Sequence, residues 1–159
     1  MKINIYKIGR IFLLVLIFAS IAHAFIQSAL PPEISSAESN KVGDIIEEII
    51  PPETPQGQFV QKNLRKLAHF TEFFIIGTFT TIYVLVYMRK KSAFCVHIPF
   101  GIFVGLLDET IQIFSGRGPS VTDVWIDSLG YVTATAIVAL LLLSAFFIHR
   151  WIKRRKSSK

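Results

Sequence analysis

The sequence predicts an all-α, polytopic membrane protein with four transmembrane helices and a short amphipathic external helix. Three observations carry this. First, 52% of the 159 residues are apolar and only 18% charged, and the apolar residues fall in blocks at Ile11–Leu30, Leu67–Met88, Ala93–Phe114 and Val124–Ile148. Each meets or approaches the roughly 20 apolar residues that a helix needs to cross about 30 Å of hydrocarbon. Second, these blocks lack period-two alternation, which favours helices over a barrel where the backbone must satisfy its own hydrogen bonds. Third, the basic residues cluster at the block boundaries rather than along one face. The net charge of +6 therefore reads as membrane topology and not as nucleic-acid binding. Little chain remains for a soluble domain, so residues 1–159 are read as one membrane module.

The first helix covers about residues 11–30 and follows Lys2, Lys7 and Arg10. Its start also resembles a signal peptide, with Ala22-His23-Ala24 as a small-residue cleavage site. Apolar residues resume at Phe25-Ile26 and continue to Leu30, which favours an uncleaved helix. An external loop over 31–62 comes next. It carries Glu33, Glu38, Asp44, Glu47, Glu48 and Glu53 against Lys41, with proline pairs at Pro31-Pro32 and Pro51-Pro52. Val42, Ile45, Ile46, Ile49 and Ile50 recur there at helical spacing opposite Asp44, Glu47 and Glu48. That pattern predicts a short amphipathic helix, and its acidity favours packing on protein over binding anionic lipid.

The second helix is expected over about 64–88, beginning near Asn63 or Leu64 and ending at Arg89-Lys90-Lys91. The third covers about 93–114, antiparallel to it across a tight inner turn. Ser115 to Ser120, with Gly116, Gly118 and Pro119, form the outer turn of 115–122. The fourth helix covers about 123–149, with Ser120 or Thr122 as its N-cap. A basic tail over 150–159 follows, expected to be disordered from Lys153 onward. Trp151 is read as an interfacial anchor. Lys and Arg are retained on the cytoplasmic side, and all three basic clusters then place both termini inside and the acidic loop outside. The lone Cys95 is read as a small buried apolar residue, and the 14 phenylalanines as lipid-facing or packing groups.

Polar residues gather at one end of three of these helices. Lys66, His69 and Glu72 lie on the second, Asp108, Glu109 and Gln112 on the third, Arg117 in the turn, and Asp123 and Asp127 on the fourth. Ionisable groups inside spanning helices cost several kcal/mol and by default mark a functional site. Lys66, His69 and Glu72 step by three along one broad face; Asp108 and Gln112, like Asp123 and Asp127, are four apart and stack one turn above the other. Gly130 and Ala134 continue the Asp127 face with small residues that let a neighbouring backbone approach. The carboxylates outnumber Lys66, Arg117 and Arg65, and the surplus can be relieved by a bound cation, by shared protons or by a cationic group on a ligand. The metal and any cofactor stay unassigned.

The plainer reading is that these groups only glue helices together. Convergence at one depth weighs against it, because each further buried charge adds cost. His23 and His97 are isolated and receive no role. No His-Glu-x-x-His signature, glycine-rich phosphate loop or Gly-x-Ser-x-Gly elbow is present. Ion movement along the carboxylates ranks low, because the inner halves of the helices lack matching polar residues.

The run Arg65-Lys66-Leu67-Ala68-His69-Phe70-Thr71-Glu72-Phe73-Phe74, with Gly77, resembles the first signature of the VanZ-like family of bacterial membrane proteins. Asp108-Glu109-Thr110-Ile111-Gln112-Ile113-Phe114, then Gly116-Arg117, Asp123-Val124 and Gly130, resemble its second. The similarity covers about Leu64 to Ala139; Asp127 departs from it, standing where many relatives have Asn. The resemblance implies a multi-pass protein of the bacterial cytoplasmic membrane, related to one that lowers susceptibility to the glycopeptide teicoplanin. Its implied partners are membrane lipids and a lipid-linked cell-wall precursor or lipoglycopeptide, with no nucleic acid.

Two functions from different classes fit these residues. In a membrane enzyme acting on a lipid-linked envelope component, His69 or Glu72 is the acid or base, Asp108 and Glu109 support it or hold a cation, and Arg117 grips an anionic headgroup. Lys66, Gln112, Asp123 and Asp127 complete the binding set. In a non-catalytic binding or assembly protein, the same groups hold a headgroup, an antibiotic or a partner.

Overall fold

The computed structural model describes residues 4–88 and 91–157, and these are helical throughout apart from short connections. The basic flanks expected at Lys2, Arg89 and Lys90, the side chains of Lys91 and Lys156, and the end of the tail at Ser158 and Lys159 lie outside the described residues. The elements are α1 (Ile5–Ala29), α2 (Pro32–Glu47), α3 (Pro55–Ile82), a π-helical continuation (Tyr83–Met88), α4 (Lys91–Phe114) and α5 (Val121–Ser157). Four helices, Ile5–Ala29, Pro55–Met88, Ser92–Phe114 and Val121–Arg155, are long and apolar enough to cross a membrane. The chain is a multi-pass membrane protein.

The spanning helices run alternately up and down. Arg10 near the start of α1 donates to the Tyr83 hydroxyl at the far end of α3 (3.1 Å), while Ser28 near the end of α1 meets Asp108 on α4. One end of the bundle therefore holds the α2 connection and the Ser115–Ser120 turn. It is called the loop end below, and the opposite one the termini end.

Several boundaries differ from those expected. α3 starts at Pro55, well before Leu64, because the Thr54 side chain accepts from the Gly57 N–H (3.1 Å) and Pro55 fits the first helical position. Its first turns are polar, so hydropathy alone passes over them. α2 spans Pro32–Glu47, so it includes Val42, Ile45 and Ile46 of the expected amphipathic helix but starts earlier and ends before Ile49 and Ile50; it buries no residue completely. It rests against the start of α3, where Gln61 donates to Glu47. Ser120, not Thr122, caps α5, its hydroxyl accepting from the Asp123 N–H (3.3 Å). The basic stretch expected to be disordered stays helical to Ser157, with the Arg155 guanidinium 3.9 Å over the Trp151 ring. Cys95 is exposed rather than buried.

The tightest helix pair is α3 with α5, which run parallel. Small residues allow it: a Cβ on Gly77 would lie 2.7 Å from the Tyr131 carbonyl oxygen, and one on Gly130 would collide with the Phe70 carbonyl. Such close backbone approach is how membrane helices gain packing energy without a hydrophobic drive between them. Ala24, Phe73, Ile76, Val104 and Tyr131 form the buried apolar core. Phe103, Phe114, Phe146, Phe147 and Leu140 stay exposed, as a lipid-facing surface requires.

Candidate functional site

At the loop end the polar residues of α3, α4 and α5 meet. His69, Asp108, Glu109, Gln112, Arg117, Asp123 and Asp127 are all buried, and Asp108, Gln112 and Asp127 are essentially inaccessible. His69 Nδ1 lies 3.2 Å from Asp127 Oδ1 and 3.8 Å from Asp108 Oδ2. Gln112 ties α4 together at the centre, its Nε2 donating to Glu109 Oε1 (2.7 Å) and Asp108 Oδ2 (3.2 Å). Glu109 Oε2 accepts the backbone N–H of Ser120 (2.7 Å), which fixes the start of α5 against α4.

Three contributors lie outside the site set expected from sequence, although Arg65 was counted there among the opposing charges. Ser28 on α1 donates to Asp108 Oδ2 (2.7 Å), so the first helix also reaches the site. A serine near the end of an apolar run carries no signal of its own. Arg65 donates to Gln112 Oε1 (2.7 Å) and lines the cavity, whereas Lys66 joins neither the buried cluster nor the pocket walls. Helical phase explains the exchange: steps of three fall back about 60° each, so Lys66 has rotated away from His69 and Glu72, while 65, 69 and 72 follow the 3.6-residue period. His23, given no role, places Nε2 3.7 Å from Glu72 Oε1. Glu72 itself is only half-buried and lies outside the carboxylate cluster, facing the pocket.

Arg117 reaches back across the turn to donate to the Gln27 carbonyl (3.0 Å). Gly116 makes this possible with a φ of 75°, a left-handed conformation that glycine adopts without strain. Burial, and then the nearby charge of Arg65, draw the Arg117 pKa below its usual value, while Asp108, Glu109 and Asp123 pull it back up. Neither arginine forms an ion pair among the described residues.

A cavity of about 800 Å³ opens beside this cluster, between α1, α2 and α3. Arg65, His69, Glu72 and Arg117 line it together with Glu38 and Lys41 of α2, and Leu64, Leu67, Ile75, Val42 and Ile46 add apolar surface between them. Deeper in, Asp108 Oδ1 and Asp127 Oδ2 are buried with no hydrogen-bond partner. His69, Asp108, Glu109 and Asp127 each bring one ligand-type atom within 4.8 Å of the others, so these are the residues that can hold a metal ion. Two like charges 4 Å apart repel by about 4 kcal/mol at an effective dielectric constant near 20. So dense a group of carboxylates is relieved by a counter-charge or by shared protons.

The termini-end half is not free of polar groups, contrary to expectation. His97 is buried, with Nδ1 2.8 Å from the Tyr131 hydroxyl and Nε2 2.9 Å from Thr81 Oγ1 and 3.2 Å from Thr135 Oγ1. Thr80 donates to the same Tyr131 hydroxyl (2.9 Å). Isolated threonines and one histidine in separate apolar runs give no sequence signal until the helices bring them together.

A family model described as VanZ/LLP1 matches residues 11–143. That stretch contains every residue of the loop-end cluster and the greater part of all four spanning helices. No curated protein and no solved structure matches the chain.

Proposed function

The chain belongs to the VanZ/LLP1 family, and from that premise we propose that its loop-end cavity holds the anionic headgroup of a lipid-linked component of the bacterial cell envelope. The observation that carries this reading is the make-up of the cavity walls. Arg65 and Arg117, free of ion-pair partners among the described residues, face a space to which Leu64, Leu67, Ile75, Val42 and Ile46 add apolar surface. A guanidinium pairs bidentately with phosphate, and an apolar wall suits the chain attached to a headgroup. The basic clusters support a chain in the cytoplasmic membrane whose loop end faces away from the cytosol and whose termini both lie on the cytoplasmic side. There the protein meets lipid-linked wall precursors and lipoglycopeptides such as teicoplanin, and a change in glycopeptide susceptibility follows from either.

His69 is placed to act as acid or base. It lines the cavity and Asp127 orients its ring, which is how a catalytic imidazole is fixed in one tautomer. The dense hydrogen bonding of Gln112 favours the alternative, a rigid non-catalytic binding or assembly protein. Mass spectrometry of envelope lipids and wall precursors, with and without the protein, separates the two: a changed product supports the enzyme, and an unchanged set supports binding. The headgroup reading itself is tested by native mass spectrometry of the purified chain. A co-purifying anionic lipid that is lost in Arg117→Ala and in Arg65→Ala is expected; equal lipid in all three preparations contradicts it.

A further inference from the structure

We infer that His69, Asp108, Glu109 and Asp127 form a site for one divalent first-row metal ion, of the zinc or manganese class, at the floor of the loop-end cavity. The inference deepens the headgroup reading, on which it rests for what the ion acts upon, and it replaces the acid or base role of His69 with that of a ligand. The four residues come from three helices and are each at least nine-tenths buried. Their ligand-type atoms lie within 4.8 Å of one another.

Burial of acidic groups is not by itself a site, and the hydrogen-bond pattern supplies the second observation. Asp108 uses Oδ2 for Ser28 and Gln112, and Asp127 uses Oδ1 for His69. In each aspartate the other oxygen is buried and bonded to nothing. Buried polar atoms are nearly always satisfied, so two orphaned carboxylate oxygens in one cluster call for a bound partner. One ion between the two aspartates would satisfy both oxygens and offset the like charges.

The spacing agrees. Ligand atoms 2.0 to 2.2 Å from one ion stand about 3 to 3.5 Å apart in octahedral or tetrahedral coordination. His69 Nδ1 stands 3.2 Å from Asp127 Oδ1 and 3.8 Å from Asp108 Oδ2, so the imidazole is within reach of both aspartates, and binding through Nδ1 would replace its hydrogen bond to Asp127. One imidazole among carboxylates selects zinc, manganese or ferrous iron over calcium and magnesium, which prefer oxygen alone. The carboxylates are held from outside the cluster by Ser28, Gln112 and the Ser120 N–H, the kind of outer support that orients metal ligands. His69 lines the cavity, giving an ion a way in from the loop end.

The test uses the full chain, purified in detergent, stripped with a chelator and titrated with Mn2+ alone. One saturable Mn2+ per chain is expected, with nitrogen modulation from a bound imidazole in pulsed electron paramagnetic resonance. Asp108→Asn and Asp127→Asn should each weaken binding tenfold or more, and His69→Ala should abolish the nitrogen signal. His149→Ala, at an exposed histidine, should change nothing. Because the nitrogen signal is read on the unaltered chain, misfolding of a variant does not blunt the test. Absence of saturable binding, or bound Mn2+ without nitrogen coupling, overturns the inference. A preparation that carries anionic lipid but binds no Mn2+ overturns the ion alone; one that binds Mn2+ but carries no lipid overturns the headgroup reading alone.

Discussion

His69 on α3 and Asp127 on α5, 58 positions apart in the chain, meet Nδ1 to Oδ1 at 3.2 Å inside the bundle. Beside that contact, Gly130 packs on the Phe70 backbone and, further along, Gly77 on the Tyr131 backbone, so α3 and α5 approach backbone to backbone. The same packing that holds the bundle together thus positions the histidine of the site.

The first prediction concerns that pair. Asp127→Ala removes the partner of a buried imidazole, and His69→Ala removes the partner of a buried carboxylate. In a double-mutant cycle the two should couple by about 1–3 kcal/mol, the range for contacting residues in one polar network. Unfolding of the single and double variants in detergent measures this, and additive losses would show that the contact contributes nothing.

Gly130→Ala should destabilise by about 1–3 kcal/mol, the usual cost of forcing extra volume into a packed contact. The added Cβ meets the Phe70 carbonyl, which is backbone and cannot swing aside. Gly118→Ala, with open space around it, should stay within about 0.5 kcal/mol of the parent, as surface changes do. Thermal unfolding of both variants is the check.

At the other polar knot, Tyr131→Phe takes one hydroxyl from His97 and Thr80 while Thr81 and Thr135 still hold the imidazole. A loss of about 1 kcal/mol is expected, with lipid co-purification unchanged. Lipid lost in this variant would tie the two polar clusters together functionally.

Arg117→Lys keeps the charge but not the fork that reaches the Gln27 carbonyl. Lipid capture should fall nearly as far as in Arg117→Ala, because a compact ammonium does not reproduce bidentate geometry. Full retention in the lysine variant would show that charge alone suffices.

The architecture was legible in the sequence because the bilayer imposes one strong rule, a long apolar stretch per crossing, and the four blocks obey it. The meeting of His69, Asp108, Glu109, Gln112 and Asp127 was legible for the related reason that lipid tolerates no such group on its outer face. Features governed by single local contacts were not. The choice of Arg65 over Lys66 depends on helical phase within one turn, and the start of α3 depends on one threonine cap beyond the apolar block. Ser28 and the His97–Tyr131–Thr81–Thr135 knot consist of residues common in membrane helices, whose partners are set only by helix packing. Asp108 and Asp127 each leave one oxygen unpartnered, a fact about geometry that no spacing encodes.

The account depends most on a polar cavity that opens at the outer face of the membrane. A cysteine placed at the exposed Gly118, beside Arg117, in a chain carrying Cys95→Ser, is open to a membrane-impermeant thiol reagent applied to intact cells. Labelling before the membrane is breached is the predicted result; labelling only after permeabilisation would place the cavity on the cytosolic side and contradict the account.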